Sequence, residues 1–555
     1  MANQSSVSRQ KERELEKKLA EIQSHGREDE YKAIAKKLGL PFSSFSSVPI
    51  DANALSLVPE EIARTGSFAI ILRNGPELTV ATADPDNKTA RETWKQLEGR
   101  GFKLNLIVTS PDALENLLKR YGTIRAPELF ETGSVDVNEE ELSSLEEQIK
   151  NVADLKNRVA SISVTKLLEI LLAGALKISA SDIHFEPTAG ATRLRYRLDG
   201  VLQDVTEIDK TSYGKVLNRI KVLSRLKLNI HEAPQDGRFT IKQKSVDIEV
   251  RVSILPSEYG ETIVMRLLDP REIKGGLNDL GMRPDLLEML KNQLDKPTGA
   301  ILTTGPTGSG KTTTLYAFIR YLNSPGSKII TIEDPIEYHI TGISQTQVEP
   351  KKGYTFANGL RAIVRQDPDI ILVGEIRDSE TASIALQAAL TGHLVLSTIH
   401  TNDAAGTIPR LIDIGITPQV IAPAIRIAMA QRLIRKLCPK CKKSRLTSSE
   451  ELEKISAELT PLSKRFKLPA LDKNLNIYEV VGCAACNNTG YQGRIGVFEA
   501  FNITNEMEKL ILSSPPISAM QELAVKEGMV TMKQDAYLKL LEGITSPDEI
   551  TRILG

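Results

Sequence analysis

The sequence predicts a multidomain α/β protein. The chain has 555 residues, short aliphatic runs alternate with helical stretches in its second half, and one run leads directly into a glycine-rich loop. At roughly 100 to 200 residues per domain, this length corresponds to three or four folded units. Near-continuous apolar strands that alternate with helices are typical of a parallel sheet covered on both faces.

Composition and charge exclude several classes of protein. Lys plus Arg and Asp plus Glu both total 71, so the chain lacks the basic excess of a nonspecific polyanion binder. The longest apolar stretch, Val164 to Ile178, is interrupted by Lys166, Glu169 and Lys177 and does not reach the roughly 20 apolar residues of a membrane span. Met1 to Arg27 lacks the apolar stretch of a signal peptide. We therefore expect a cytoplasmic protein whose membrane contacts run through a partner.

The first half of the chain is predicted to form two α/β units joined by a linker. Thr123 to Asn157 contains proline, glycine and the acidic run Glu139 to Glu141, which indicates the linker. In the first unit, apolar periodicity predicts two strands and a helix, at Phe68 to Leu72, Leu78 to Ala81 and Pro111 to Tyr121. In the second, it predicts one helix and three strands, at Val159 to Lys177, Thr192 to Arg197, Asp247 to Val252 and Thr262 to Leu267.

A phosphate-binding loop opens the second half. The predicted strand Ala300 to Thr304 leads into a full Gly-x-x-x-x-Gly-Lys-Thr motif, which a helical stretch follows. In such a motif the glycines let backbone amides converge on phosphate oxygens, Lys311 reaches the β and γ phosphates, and the Thr312 hydroxyl ligates Mg²⁺. The predicted nucleotide-binding residues are Gly305, Pro306, Thr307, Gly308, Ser309, Gly310, Lys311, Thr312 and Thr313.

Acidic residues and a histidine follow the next three predicted strands, at 328–332, 370–373 and 394–399. Strand ends in such sheets line the ligand crevice, where carboxylates can hold Mg²⁺ or polarise water and an imidazole can donate to the γ-phosphate. The candidates are Glu333, Asp334, Glu337, Glu375 and His400. From spacing alone, a loop satisfied by helix caps accounts for the acidic residues at least as well, and a lone histidine is more often structural than catalytic.

Four cysteines form two Cys-x-x-Cys pairs, Cys438 with Cys441 and Cys483 with Cys486. Four thiolates can surround one tetrahedral ion and leave no open position, which predicts structural Zn²⁺; the alternative is a set of buried free thiols. The segment Arg432 to Arg445 has seven basic residues and no acidic one. It is predicted to be a solvated rim or a contact with a membrane-embedded protein or anionic lipid.

Taken together, four blocks resemble the Walker A, Asp box, Walker B and His box of the secretion ATPases that drive type II secretion and type IV pilus assembly. The blocks are Gly305 to Thr312, Glu333 to Glu337, Leu372 to Asp378 and Thr391 to Asn402. The order and spacing of the four blocks match those of the corresponding motifs in that family. Four upstream motifs extend the resemblance to roughly residues 157–555: Ser181 to Pro187, Arg195 to Gly200, Gln235 to Arg238 and Arg251 to Ser253.

The resemblance implies a RecA-like P-loop ATPase core, a PAS-like domain before it, a small α/β N-terminal domain and a tetracysteine zinc insertion. The implied domains are a charged arm (1–28), an N-terminal type II secretion E-like domain (29–122), a linker (123–156), a PAS-like N2 domain (157–283), the RecA-like core (284–435), the zinc-binding segment with the end of the core (436–500) and a C-terminal helical segment (501–555). Some relatives bind cyclic di-GMP with the N-terminal domain, but the Arg-Leu-Gly signature expected for that ligand is missing here.

The same resemblance assigns roles to individual residues. It implies that Arg251 and Arg266 approach the nucleotide from the second domain and that Arg361 and Arg365 lie near a subunit interface. Glu337 is the expected base that orients water. Glu375 is the expected Mg²⁺ site, although these two roles could be exchanged.

The implied function is that of a homohexameric, cytoplasmic ATPase, peripheral at the inner face of the cytoplasmic membrane. It would couple ATP hydrolysis to type IV pilus assembly through a polytopic inner-membrane platform protein and bind a cytoplasmic adaptor through its N-terminal domain. The alternative is a type II secretion ATPase that drives pseudopilus assembly and protein export. A nucleic-acid motor is disfavoured, and no nucleic acid is expected, because the chain has no net charge and no aromatic-studded basic channel. A noncatalytic regulator is disfavoured because Lys311, Glu337, Glu375 and His400 are all present.

Overall fold

The computed structural model divides the chain into two compact units, residues 1–131 and 132–555. Nearly all of the predicted charged arm and most of the predicted linker lie outside the described residues. The structure describes residues 28–45, 51–55, 57–74, 76–99, 102–122, 134–136, 151–152, 155–156, 164–242, 246–273 and 275–555. Across these residues, no helix has both the length and the apolarity that crossing a bilayer requires.

The first unit is a three-stranded sheet with helices packed on it. Strand β1 pairs with β2 antiparallel, and β2 pairs with β3 parallel. The strands are β1 (Phe68–Asn74), β2 (Glu77–Thr82) and β3 (Lys103–Val108). The helices are Ala52–Leu55, Glu60–Thr65, Lys88–Gly99, Pro111–Leu118 and the short Lys119–Gly122, with a further helix over 28–38. The two predicted strands and the helix beginning at Pro111 are confirmed.

The second unit begins with a largely antiparallel sheet, which we call the antiparallel lobe (residues 164–268 with strand β4). Its order is β4-β8-β9-β10-β5-β6-β7, with β4 parallel to β8. The strands are β4 (Ser134–Asp136), β5 (Asp182–Pro187), β6 (Thr192–Leu198), β7 (Val201–Ile208), β8 (Gln235–Lys242), β9 (Asp247–Ser257) and β10 (Gly260–Leu268). Its helices are Val164–Lys177 and Lys210–Leu223. Strand β4 lies in the predicted linker.

Period-two alternation separates the two faces of this sheet. Leu194 and Tyr196 of β6 are fully buried, and the Tyr196 hydroxyl donates to the carbonyl of Leu171 in the first helix at 2.7 Å. Successive strand residues point to opposite faces, so the arginines between them lie on the other face. One face of the lobe therefore packs on helices, and the other is charged.

The remaining residues form the parallel lobe (residues 284–555), built on a seven-stranded sheet of order β13-β12-β14-β15-β11-β16-β19. All neighbouring pairs are parallel except β16 with β19. The strands are β11 (Gly299–Thr304), β12 (Ile329–Glu333), β13 (Ser344–Gln347), β14 (Ile370–Val373), β15 (Leu394–Ile399), β16 (Ile425–Leu437), β17 (Lys443–Leu446), β18 (Asn476–Glu479) and β19 (Tyr491–Asn502). Every residue of β11, β14 and β15 is buried, as predicted for a sheet covered on both faces.

Helices cover both faces of the parallel sheet. The larger helices are Pro284–Leu294, Lys311–Leu322, Phe356–Val364, Ser379–Leu390, Thr407–Ile414, Pro418–Ala424, Ser449–Leu459, Asn505–Leu512, Ile517–Lys526, Met532–Leu541 and Pro547–Leu554. Short 3-10 helices lie at Pro270–Ile273, Leu277–Leu280, Pro350–Lys352, Thr460–Leu462 and Ala484–Cys486. The small sheet of β17 and β18 belongs to a peripheral element that contains the cysteines, the knob (residues 438–491).

Candidate active site

The glycine-rich loop after β11 depends on backbone conformations that favour glycine. Gly305, Gly308 and Gly310 have φ values of 140°, 80° and 89°. A Cβ on Gly305 would lie 2.5 Å from the carbonyl oxygen of Gln431, so a side chain there would force β16 away. Gln431 in turn donates from Nε2 to the carbonyl of Ser309 at 2.7 Å. Strand β16 therefore holds the loop in shape.

Lys311 stands at the mouth of this loop as the first residue of a helix. Its Nζ donates to the carbonyl oxygens of Gly305 at 2.6 Å and Pro306 at 3.1 Å. Burial lowers the pKa of the Lys311 ammonium, and the nearby Glu375 carboxylate offsets part of this effect. Because a helix N-terminus carries a partial positive charge, the helix and the ammonium both favour an anion at this position.

A cleft with a volume of 860 Å³ lies between the two lobes and brings most of the predicted residues together. Those that line it are Thr307, Gly308, Gly310, Lys311, Thr312, Thr313, Glu333, Asp334, Glu337, Glu375, His400 and Arg266, whereas Arg251 is not part of the lining. The lobes also contact each other directly beside the cleft, where the Gly493 amide donates to Asp199 Oδ2 at 2.9 Å. The remaining loop residues, Gly305, Pro306 and Ser309, belong to the glycine-rich loop but do not line the cleft. Arg361 and Arg365 are exposed and do not line this cleft.

The carboxylate of Glu375 is hydrogen-bonded by two side chains, the guanidinium of Arg377 and the imidazole of His400. Its Oε2 lies 3.0 Å from His400 Nε2, and its Oε1 pairs with Arg377. Burial raises the pKa of the Glu375 carboxyl, but the hydrogen bonds from Arg377 and His400 outweigh burial, and the net shift is downward. Sequence reasoning gave Arg377 no role, although it lies within the recognised block Leu372 to Asp378. An ionised carboxylate that lines the same cleft as Thr312 is a suitable oxygen ligand for Mg²⁺.

Glu337 occupies a different environment, at the boundary of the lobes. Arg251 Nη1 donates to its Oε2 at 2.9 Å, and Arg251 Nη2 donates to the carbonyl of Ile336 at 2.8 Å. Burial raises the pKa of the Glu337 carboxyl above its ordinary value, and the charges of Arg251 and Arg266 offset only part of this rise. Arg266 itself is anchored through Nε to Asp182 at 3.0 Å. A carboxyl with a raised pKa is suited to accept a proton near neutral pH.

Glu333 lines the cleft at the end of β12, as expected, but its carboxylate is engaged in hydrogen bonds within the fold. It is buried and accepts hydrogen bonds from the hydroxyls of Tyr316 and Thr331 and from Gln345 Nε2, the last at 3.2 Å. Gln345 Nε2 also donates to the carbonyl of Tyr338 at 3.0 Å. Through Gln345, Glu333 therefore holds the loop that carries Glu337 in place.

The raised pKa of Glu337 predicts an acid limb in the pH profile of activity. A base acts in its deprotonated form, so turnover should fall with decreasing pH at a higher pH than for an ordinary glutamate. Glu249 contributes to the upward shift. Glu249→Gln is therefore expected to lower the pKa of Glu337 and move the acid limb of kcat/KM toward lower pH. Glu380→Gln, at an exposed position that does not line the cleft, is the matched control, and an unmoved limb in Glu249→Gln would contradict the assignment.

The four cysteines converge in the knob. All four sulfurs lie within 4.8 Å of one another, with Cys438–Cys483, Cys441–Cys486 and Cys483–Cys486 separations of 4.0, 3.9 and 3.8 Å. A tetrahedral zinc ion with Zn–S bonds of about 2.3 Å requires sulfurs about 3.8 Å apart. The amides of Cys483 and Gly490 each donate to Cys486 Sγ at 3.2 Å, which suits a thiolate. The donor set therefore fits Zn²⁺.

Part of the predicted basic rim is used inside the fold. Arg435 pairs with the buried carboxylate of Glu549 at 2.7 Å. Lys442 donates to the carbonyl of Gly543 at 2.7 Å, and Arg445 forms an ion pair with Glu451. These three basic side chains stabilise the knob and its attachment to the parallel lobe. Because they are engaged within the fold, fewer basic groups of the segment are available to contact anionic lipid.

Removal of one cysteine ligand is expected to abolish zinc binding by the knob. We expect Cys486→Ser to lower zinc content from one ion per chain to near zero and the melting temperature by several degrees, because metal binding contributes folding free energy. Elemental analysis and thermal unfolding measure both. The chain has only four cysteines, so the control is wild-type protein stripped with a chelator and reloaded with zinc. Full zinc content in Cys486→Ser would rule out the four-cysteine site.

Comparison of the sequence with protein families and with known proteins finds similar proteins in secretion and pilus assembly systems. A family model described as "Type II/IV secretion system protein" matches residues 158–552, and the MshEN domain model matches residues 38–127. The chain is 36% identical over 521 residues to the type IV pilus assembly ATPase PilB of Myxococcus xanthus (strain DK1622), covering 93% of this chain and 89% of that protein. It is 37% identical over 500 residues to the type II secretion system protein E of Aeromonas hydrophila, covering 90% and 97%.

A solved structure of similar fold is the ATPase DotB of Legionella pneumophila. The TM-score is 0.51 at 23% identity, and the match covers 70% of this chain and 95% of that one. This likeness concerns the fold alone. With the P-loop sheet, the preceding lobe and the cysteine cluster, it confirms the predicted fold class.

Proposed function

The chain belongs to the type II/IV secretion system protein family, and from this premise we propose that it is a homohexameric motor for type IV pilus assembly. It is an ATP-hydrolysing enzyme that uses ATP and Mg²⁺, as its family membership implies. The observation that carries the proposal is the convergence of Lys311, Glu337, Glu375 and His400 on one cleft between two lobes.

The residues of the cleft divide the chemistry of ATP hydrolysis among them. The loop amides and Lys311 bind the β and γ phosphates, and His400 donates to an oxygen of the γ-phosphate. Thr312 and Glu375 would hold Mg²⁺, which neutralises phosphate charge when bound. Water attacks the γ-phosphorus, the bond to the bridging oxygen of the β-phosphate breaks, and Glu337 takes the proton from the water. Arg251 and Arg266 stabilise the negative charge that develops on the transferring group.

Hydrolysis would change the relative position of the lobes because residues of both lobes line the cleft. A triphosphate that contacts Lys311 on one lobe and Arg266 on the other favours a closed arrangement of the lobes. Cleavage of the γ-phosphate removes some of those contacts, so the lobes can separate. Around a ring of six chains, this cycle would turn or lift a polytopic inner-membrane platform protein. The N-terminal domain would bind a cytoplasmic adaptor of the same machine.

The second candidate is a type II secretion ATPase, which the match to the Aeromonas hydrophila protein supports. The two functions share the catalytic cleft and differ in cargo. Deleting the gene and complementing it with the wild-type chain or with Lys311→Ala separates them. Loss of surface pili with normal export supports the first proposal, and retention of exported proteins with intact pili supports the second. ATPase activity strongly stimulated by single-stranded DNA would contradict both.

A further inference from the structure

A buried carboxylate that plays no part in this chemistry lies on strand β19. Glu499 is 3% exposed and is in register with Ala430 of β16. Its Oε1 accepts the backbone N–H of Ala404 at 2.8 Å, and its Oε2 accepts that of Met532 at 3.0 Å. Burial raises the pKa of the Glu499 carboxyl, and the two amides offset only part of the rise. One side chain thus bridges two separate backbone segments.

The first segment is the loop over residues 400–406, which begins at His400 in the cleft. The N–H of Thr401 donates to Thr304 Oγ1 at 2.8 Å, and Thr401 Oγ1 donates to the carbonyl of Asp403 at 2.8 Å. Thr304 is the last residue of β11 before the glycine-rich loop. The 400–406 loop is therefore attached to the phosphate-binding strand at one end and to Glu499 at the other.

The second segment is the helix Met532–Leu541. Asp535 in its first turn accepts the N–H of Phe498 through Oδ2 at 2.8 Å, and its Oδ1 lies 2.9 Å from Arg283 Nη1. Arg283 immediately precedes the helix Pro284–Leu294, at the junction where the chain from the antiparallel lobe enters the parallel lobe. The helix that Glu499 anchors is thus tied directly to that junction.

We propose that Glu499 is a positioning residue that couples the 400–406 loop to the junction between the lobes. A buried carboxylate cannot replace a lost amide with water, so separating it from either N–H is costly. A shift of the 400–406 loop on cleavage of the γ-phosphate therefore displaces the carboxylate and, with it, the start of the helix Met532–Leu541. This coupling rests on the proposed function, because it requires ATP turnover at the cleft.

Hydrogen exchange in the wild-type chain gives the first test. Exchange is compared with Mg²⁺ and a nonhydrolysable ATP analogue, and with Mg²⁺ and ADP. We expect the amides of 400–406 and of 532–541 to change protection together. A change in 400–406 without one in 532–541 would overturn the coupling and leave the proposed function intact. No change in 400–406 would also overturn the coupling, whereas the proposed function is tested separately by phosphate release in Lys311→Ala.

The variant Glu499→Gln gives the second test. Its side-chain oxygen can accept only one of the two amides well, and its NH₂ group faces the other N–H. We expect kcat to fall roughly tenfold with KM for ATP unchanged within about twofold, and the nucleotide response of 532–541 to disappear while that of 400–406 remains. Glu527→Gln, an exposed residue that accepts from Thr504 Oγ1 at 2.7 Å, is the matched control. Wild-type exchange and kinetics in Glu499→Gln would overturn the proposal, and if this variant does not fold, the wild-type exchange experiment decides.

Discussion

Lys311→Ala is expected to lower the kcat for ATP hydrolysis by about 10³-fold, the effect of removing one preorganised donor to a transition-state oxyanion. The Nζ of Lys311 already points at the mouth of the loop, 2.6 Å from the carbonyl of Gly305. It can therefore turn its donors to phosphate oxygens without a change in the backbone. Alanine removes both the charge and the donors, so affinity for ATP should fall as well. Phosphate release and nucleotide titration measure the two effects.

The matched control is Lys352→Ala, which removes an exposed lysine of the same lobe that pairs with Glu349 at 2.6 Å. It should leave kcat within twofold of the wild-type value, since a surface ion pair contributes little to stability. Lys311→Arg should rescue little activity, because a guanidinium fork does not reproduce the compact ammonium. Turnover by Lys311→Ala within tenfold of the wild type would show that the phosphates are bound elsewhere.

Glu337→Gln is expected to lower kcat by about 10²- to 10⁴-fold, the usual contribution of a general base, while affinity for ATP stays within about threefold. Glutamine keeps the size of the side chain but cannot take a proton from water. The raised pKa of Glu337 suits it to that step, whereas the lowered pKa of Glu375 suits it to a cation. Single-turnover phosphate release measures the loss.

Glu375→Gln provides the contrast that assigns the two roles. It should raise the Mg²⁺ concentration required for half-maximal activity, and Glu337→Gln should not. Glu349→Gln, at an exposed position of the same lobe, controls for the loss of a negative charge. If Glu337→Gln instead changes the Mg²⁺ requirement and Glu375→Gln does not, the two roles are exchanged.

The parallel sheet could be predicted because its signal is local. Each strand of this sheet near the loop is a short aliphatic run, and the helix after β11 begins at the lysine of the motif. Strand β4 could not be predicted, because three residues carry no periodicity and its pairing with β8 supplies the hydrogen bonds. Glu333 was placed correctly at the end of β12, but its orientation depends on Tyr316 and Gln345, which are distant in sequence.

The phosphate-binding loop, the strand ends with their acids and histidine, and the two cysteine pairs could all be identified from sequence, because each depends on residues within a few positions of one another. The folded chain was needed to show that Arg251 reaches Glu337 across 86 residues, that the cysteine pairs meet across 45, and that Glu499 joins two distant amides. These contacts form when the lobes and strands pack, and packing depends on the burial of many side chains together, which no short pattern records.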